Sequence, residues 1–145
     1  MSNRANCTSA THDAPGSLPT VLLRHETAGG VHHDWLMADP RKSADPESRL
    51  WTGRVGPPSR DWADLGTWPV QPIGAHRRDY LTYEGPLSGG RGRVTRVDEG
   101  TFVPLDWTKT RILIDLKFRH CQGRVELVPI DQGLWRATLS ASEQA

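Results

Sequence analysis

Residues 111–119 (RILIDLKFR) alternate apolar and polar side chains: Ile112, Ile114, Leu116 and Phe118 fall on one face, Leu113, Asp115, Lys117 and Arg119 on the other. A period of two is the signature of a half-buried strand. Shorter runs of β character recur along the chain, at residues 20–25 (TVLLRH), 32–38 (HHDWLMA), 49–54, 68–71, 92–98, 101–105, 124–128 and 134–139. Glycine or proline interrupts them: Ala28-Gly29-Gly30, Gly56-Pro57-Pro58, Pro72 and Gly74, Glu99-Gly100, Gln122-Gly123 and Gly133. Such punctuation marks turns, because glycine takes positive φ and proline stops a strand. The loop 39–48 ends in a helical turn by this reading, a second helical turn falls at 61–66, and Glu99-Gly100 closes a hairpin. No segment carries a long helical period. Eight or nine short strands predict an all-β, mainly antiparallel fold, a small closed or nearly closed β-barrel with short helical turns, since closure removes unpaired edges.

Composition agrees. The 145 residues suit one domain, and 14 Gly with 11 Pro are many for a helical bundle yet too few for a disordered chain. Residues 1–18 are small and polar and are expected to be a flexible tail, with His12 solvated in it; residues 19–140 form the domain and 141–145 a second tail. No apolar run reaches the ~20 residues of a membrane span, and residues 1–17 lack the apolar core of a signal peptide, so a soluble cytoplasmic protein without a membrane partner is expected. Lys+Arg number 18 against 17 Asp+Glu, so overall charge does not point to nucleic acid; only local clustering does. Cys7 and Cys121 make neither a disulfide framework nor a zinc-ribbon pair. Core packing is the role expected for most of the six tryptophans.

Two clusters carry chemistry. His25 ends one predicted strand, and His32 and Asp34 share a face at the start of the next. A hairpin through Ala28-Gly29-Gly30 brings these three side chains together, because paired strands lie ~4.8 Å apart. Two imidazoles and a carboxylate suit a divalent transition metal such as Mn, Fe or Zn with open positions. The competing interpretation is three polar residues at a hairpin mouth. His33 points away and is assigned a structural role. The second cluster spans residues 76–96, where Arg77, Arg78, Arg91, Arg93 and Arg96 face only Asp79 and Glu84, beside the glycines of Ser88-Gly89-Gly90-Arg91-Gly92. Guanidinium groups and the backbone N–H groups of such a turn bind phosphate, and His76 and Tyr80 add donors; the plainer alternative is a solvated basic hairpin. Ser88 lacks the setting of a nucleophile elbow.

The run R24-H25-E26-T27-A28-G29-G30-V31-H32-H33-D34-W35-L36 resembles the metal-binding motif of the 3′-phosphoesterase domain of bacterial DNA ligase D, roughly KHDASRLHYDFRLE. The block from His76 to Gly85 is similar to that family's HPLDYxxFEG. Gly92–Val94 and Asp98–Phe102 are similar to GTVxxWDxGTW, and Leu116–Arg119 with Gly123 to LKFxLxGxxLxG, all in order between about residues 20 and 139. The resemblance implies a β-barrel enzyme that removes a 3′-phosphate or 3′-ribonucleotide from DNA ends in end repair (non-homologous end joining). It implies Mn²⁺, with Zn²⁺ as the other candidate, held by His25, His32 and Asp34, and a catalytic set completed by His76 and Tyr80. The gap from His25 to His32 is one residue longer than in the family, absorbed by Gly29-Gly30. Leu36 and Trp68 stand where the family has arginines, and Arg54 lies near the family's lysine. Phosphate-binding charge is therefore expected from Arg54, Arg77, Arg78, Arg91 and Arg93. Implied partners are DNA 3′ ends, some carrying a terminal ribonucleotide, and a separate ligase or polymerase. Two other function classes compete: a non-catalytic module that binds nucleic-acid ends or a repair partner, and a small metal-dependent oxygenase.

Overall fold

A computed structural model describes residues 16–42, 44–56, 62 and 66–141. The strands are β1 (Leu18–Thr27), β2 (Gly30–Ala38), β3 (Leu50–Val55), β4 (Thr67–His76), β5 (Gly85–Pro86), β6 (Arg93–Trp107), β7 (Ile112–Phe118), β8 (Gln122–Pro129) and β9 (Trp135–Ser140). They hydrogen-bond antiparallel in the order β1-β2-β3-β4-β9-β8-β7-β6-β5, and β1 also pairs with β6 from Leu18↔Phe102 to Glu26↔Arg93. Eight strands thus close a barrel, and the two-residue β5 adds to the edge of β6. The all-β antiparallel barrel expected from the alternation is the fold. Short 3₁₀ turns lie at Pro40–Lys42, Arg78–Leu81 and Ser88–Gly90. Among the described residues no helix is long and apolar enough to cross a membrane.

The barrel interior is filled from every one of its eight strands. Leu22, Trp35, Val55, Val70, Phe102, Ile114, Val125 and Ala137 are all buried there. Trp62 enters from the connection between β3 and β4 and stacks on Trp68, with ring centroids 4.2 Å apart and planes 14° from parallel. Trp35, Trp62 and Trp68 are almost fully buried, while Trp51, Trp107 and Trp135 pack around that core. All four apolar residues on one face of β7 are buried, as their alternation requires.

A second, smaller core lies on the outside of the wall. Val21 and Leu23 of β1, Leu36 and Ala38 of β2 and Leu50 of β3 come from three adjacent strands and point away from the barrel core. Tyr80 and Leu81, in the 3₁₀ turn after β4, pack on them. The segment 77–92 is thus pinned to the outer wall next to His25, His32 and Asp34.

Several expected boundaries are corrected. Glu99-Gly100 closes no hairpin, because β6 runs unbroken for 15 residues. It pairs with β1 through Phe102 and with β7 from Gly100 onward, so it passes from one neighbour to the other. Gly100 is needed for close approach: a Cβ there would lie 1.9 Å from the Lys117 carbonyl oxygen. β4 does not stop at Pro72 and Gly74 but continues to His76. β9 pairs with β4 only as far as Val70, so beyond it one edge of β4 is unpaired and a proline without an N–H is tolerated. In the loop after β2 the helical turn comes first, where Asp39 accepts the Arg41 backbone N–H (2.9 Å), and not at its end. Leu18 already belongs to β1, so the expected tail is shorter at its C-terminal side. The expected features at 1–15, at 57–61, at 63–65 and at 142–145, with Cys7 and His12, lie outside the described residues.

Candidate metal centre on the outer wall

The turn Ala28-Gly29 joins β1 to β2 in a register that sets His25 directly opposite His32 and Leu23 opposite Asp34. Directly paired residues project from the same face, and Asp34 follows His32 by one strand period. The three candidate ligand atoms consequently lie within 4.8 Å of one another. His25 Nδ1 is 3.0 Å from His32 Nε2, and His32 Nε2 is 3.5 Å from Asp34 Oδ2. The cluster sits on the outer wall, continuous with the smaller core, rather than in the barrel lumen.

Hydrogen-bond partners assign the ring protons. His25 Nε2 donates to the Arg91 carbonyl at 2.9 Å, which leaves Nδ1 as the lone-pair atom of the neutral ring. Arg54 Nη2 donates to His32 Nε2 at 3.2 Å, so that nitrogen also acts as an acceptor. Burial pushes the His32 imidazole below its ordinary pKa of 6.5, with the Arg54 charge adding to the shift against the pull of Asp34. Asp34 is buried, and its Oδ1 has no hydrogen-bond partner among the described residues; Arg54 Nε stands 3.6 Å away, too far for a good bond. Two imidazole nitrogens and a buried carboxylate therefore face one another. That arrangement is electrostatically unfavourable alone and favourable around a cation. A carbonyl that fixes the tautomer of a histidine ligand is the usual outer partner at a metal site. The donor set fits a divalent transition metal.

His76 joins this group from β4. Its Nδ1 donates to the Gly74 carbonyl at 3.0 Å, and its Nε2 lies 3.9 Å from Asp34 Oδ2. The Tyr80 ring meets the His76 ring edge-on at 5.5 Å, and the Arg77 guanidinium lies 6.0 Å from the centre of the Tyr80 ring. His25, His32, Asp34, His76, Tyr80, Arg54 and Arg77 thus form one neighbourhood. Arg91 joins through its carbonyl, while its guanidinium is held by Ser88, through the carbonyl at 2.9 Å and the hydroxyl at 3.1 Å.

Two of the expected phosphate-binding arginines are placed elsewhere. Arg78 Nη1 donates to Ser48 Oγ at 3.2 Å, away from the cluster. Arg93 pairs with Glu26, one residue out of phase with His25↔Val94, so its side chain leaves from the opposite face of the wall. Leu36 and Trp68 are buried in the outer and inner cores respectively. Arg96 is committed to carboxylates, with Nη1 2.8 Å from Glu99 Oε1 and Nη2 3.4 Å from Glu84 Oε1.

One functional group escapes any search by side-chain type, namely the Arg91 carbonyl. Its sequence signal is the neighbouring Gly92 (φ +95°), where a Cβ would stand 1.9 Å from the Glu26 carbonyl oxygen. Only glycine lets the 77–92 segment come down this close to the end of β1. No family model matches the sequence, and no curated protein matches it significantly.

Proposed function

We propose that the protein is a metal-dependent phosphoesterase that processes DNA 3′ ends, removing a 3′-phosphate or a 3′-ribonucleotide. The convergence of His25 Nδ1, His32 Nε2 and the buried Asp34 carboxylate within 4.8 Å of one another carries this proposal. These three side chains hold the ion, Mn²⁺ or Zn²⁺. When bound, it supplies Lewis-acid polarisation of a phosphoryl oxygen.

The chain's own residues do the rest. Arg91 O and Gly74 O orient the His25 and His76 rings. His76 presents Nε2 on the Asp34 side of the site; in its protonated form it donates there to phosphate or to the departing 3′ oxygen. Water adds to phosphorus as the P–O bond to that oxygen breaks. Tyr80 braces the His76 ring, and Arg54 and Arg77 offset the charge of the phosphate. The sequence resemblance to the ligase D phosphoesterase domain supplies the substrate class.

The test is a primer–template ending in a 3′-phosphate or one 3′-ribonucleotide, incubated with the protein and Mn²⁺. Trimming by the wild type, lost in a folded His32→Ala variant, is expected; equal activity in both overturns the proposal. A second reading, end binding without turnover, draws on Leu36 and Trp68, buried where the resemblance expects arginine. It requires binding that weakens with salt and no trimming under any metal.

A further inference from the structure

Beside the candidate metal centre, the 77–92 segment lines an open cleft of about 320 Å³. This is within the range of small-molecule sites. Its lining is of mixed chemistry. Tyr80 and Tyr83 supply rings, Pro86 and Leu87 apolar surface, and Arg77 and Arg91 cations. The two rings stand at 83° to each other with centroids 6.4 Å apart, forming a corner. Tyr83 is held in place, since its hydroxyl donates to the Pro86 carbonyl and its ring folds against Gly85, where a Cβ would lie 3.2 Å from that hydroxyl oxygen. Even so, the Tyr83 side chain stays well exposed. A fixed, exposed aromatic face loses little freedom when a planar group stacks on it.

The cleft communicates with the candidate metal centre through two residues. Tyr80 bounds it and also touches the His76 ring. Arg91 bounds it and also gives His25 its carbonyl partner. A ligand in the cleft therefore lies next to the group that the metal centre handles. Phosphate alone has no use for two phenol rings, a proline and a leucine; a nucleoside joined to a phosphate uses these and the two guanidinium groups together. The Asp79 carboxylate, also in the lining and without a hydrogen-bond partner among the described residues, is available to accept from a base N–H or a ribose hydroxyl.

We propose that this cleft seats the terminal nucleoside of the DNA strand, its base stacked on Tyr83. This rests on the phosphoesterase reading of the adjacent centre. The probes are two fluorescent duplexes with 3′-phosphates, one ending in thymidine and one in a tetrahydrofuran abasic analogue. Binding is measured by anisotropy in Mn²⁺, with each 3′-phosphate replaced by a non-hydrolysable methylenephosphonate so that no turnover occurs. The wild type should bind the thymidine end about tenfold more tightly, and Tyr83→Ala should remove most of that preference while leaving abasic-end binding unchanged. Leu87→Asp should act in the same direction. Equal affinity for both ends, no binding of either, or a Tyr83→Ala loss that is the same for both ends overturns the assignment. Trimming in Mn²⁺ separates the two claims. Trimming without any base preference in binding refutes the nucleoside seat alone. Base-dependent binding without trimming supports the seat and refutes the phosphoesterase.

Discussion

Replacing Gly92 by alanine tests how the fold prepares the candidate metal centre without touching a candidate ligand side chain. Gly92 has φ +95°, and an added Cβ would stand 1.9 Å from the Glu26 carbonyl oxygen and 3.1 Å from Thr27 Cα. Both neighbours are backbone atoms of the strand that bears His25, so no side-chain rotation relieves the overlap. The segment must retreat by roughly 1 Å or more, which takes the 2.9 Å bond from His25 Nε2 to Arg91 O beyond the ~3.5 Å at which it still counts. His25 is then free to change tautomer and swing. Loss of such an outer partner typically costs about 10–100-fold in metal affinity. The assay is Mn²⁺ titration calorimetry on Gly92→Ala, with circular dichroism and thermal melting to confirm that the barrel is intact. Gly29→Ala is the control, because its nearest neighbour, Thr27 Oγ1, would be at 3.7 Å, an ordinary contact. A folded Gly92→Ala protein with wild-type metal affinity would refute the role given to the Arg91 carbonyl.

Three further expectations concern the scaffold. His33 is buried, and burial with the nearby Arg24 charge holds its pKa below 6.5, so the fold favours its neutral form. Its contribution is complete above pH 6.5 and is lost as pH falls toward the lowered folded pKa; melting temperature should drop on acidification, and His33→Gln should flatten that drop. Burial, with Asp98 nearby, pushes the Cys121 thiol up to about 11, so in a Cys7→Ser variant iodoacetamide at pH 8 should label nothing until denaturant is added. Asp98 accepts backbone N–H groups of Glu99 (2.8 Å), Arg119 (2.8 Å) and His120 (3.0 Å), and Asp98→Ala should cost about 3 kcal/mol in urea unfolding.

Strand alternation made the barrel and the candidate metal ligands legible because both depend on local period. His25, His32 and Asp34 needed only one hairpin and the two-residue repeat to be placed together. The same period, applied to β6, separates Arg93 from the cluster, but only after Val94 is known to lie opposite His25, which is a pairing between distant strands. Glu99-Gly100 has the composition of a hairpin turn. Its glycine instead answers a backbone approach from β7, and close approach leaves the same residue type as a turn does. Trp68 and Leu36 were legible as strand residues, but their opposite fates follow from the closure of the barrel, which makes one face a lumen and leaves the other to be covered by the 77–92 segment. The Arg91 carbonyl is invisible to residue type, and the Tyr80–Tyr83 corner depends on how that segment folds back.

The central claim is that a divalent ion is held by the β1–β2 hairpin. Electron spin-echo spectroscopy of the Mn²⁺-loaded protein, alongside stoichiometry by equilibrium dialysis, tests it most directly. One Mn²⁺ per chain, with modulation from two imidazole nitrogens that falls to one in His32→Ala, is the expected result. Absence of stoichiometric binding, or a spectrum that His25→Ala, His32→Ala and Asp34→Asn all leave unchanged, would contradict it.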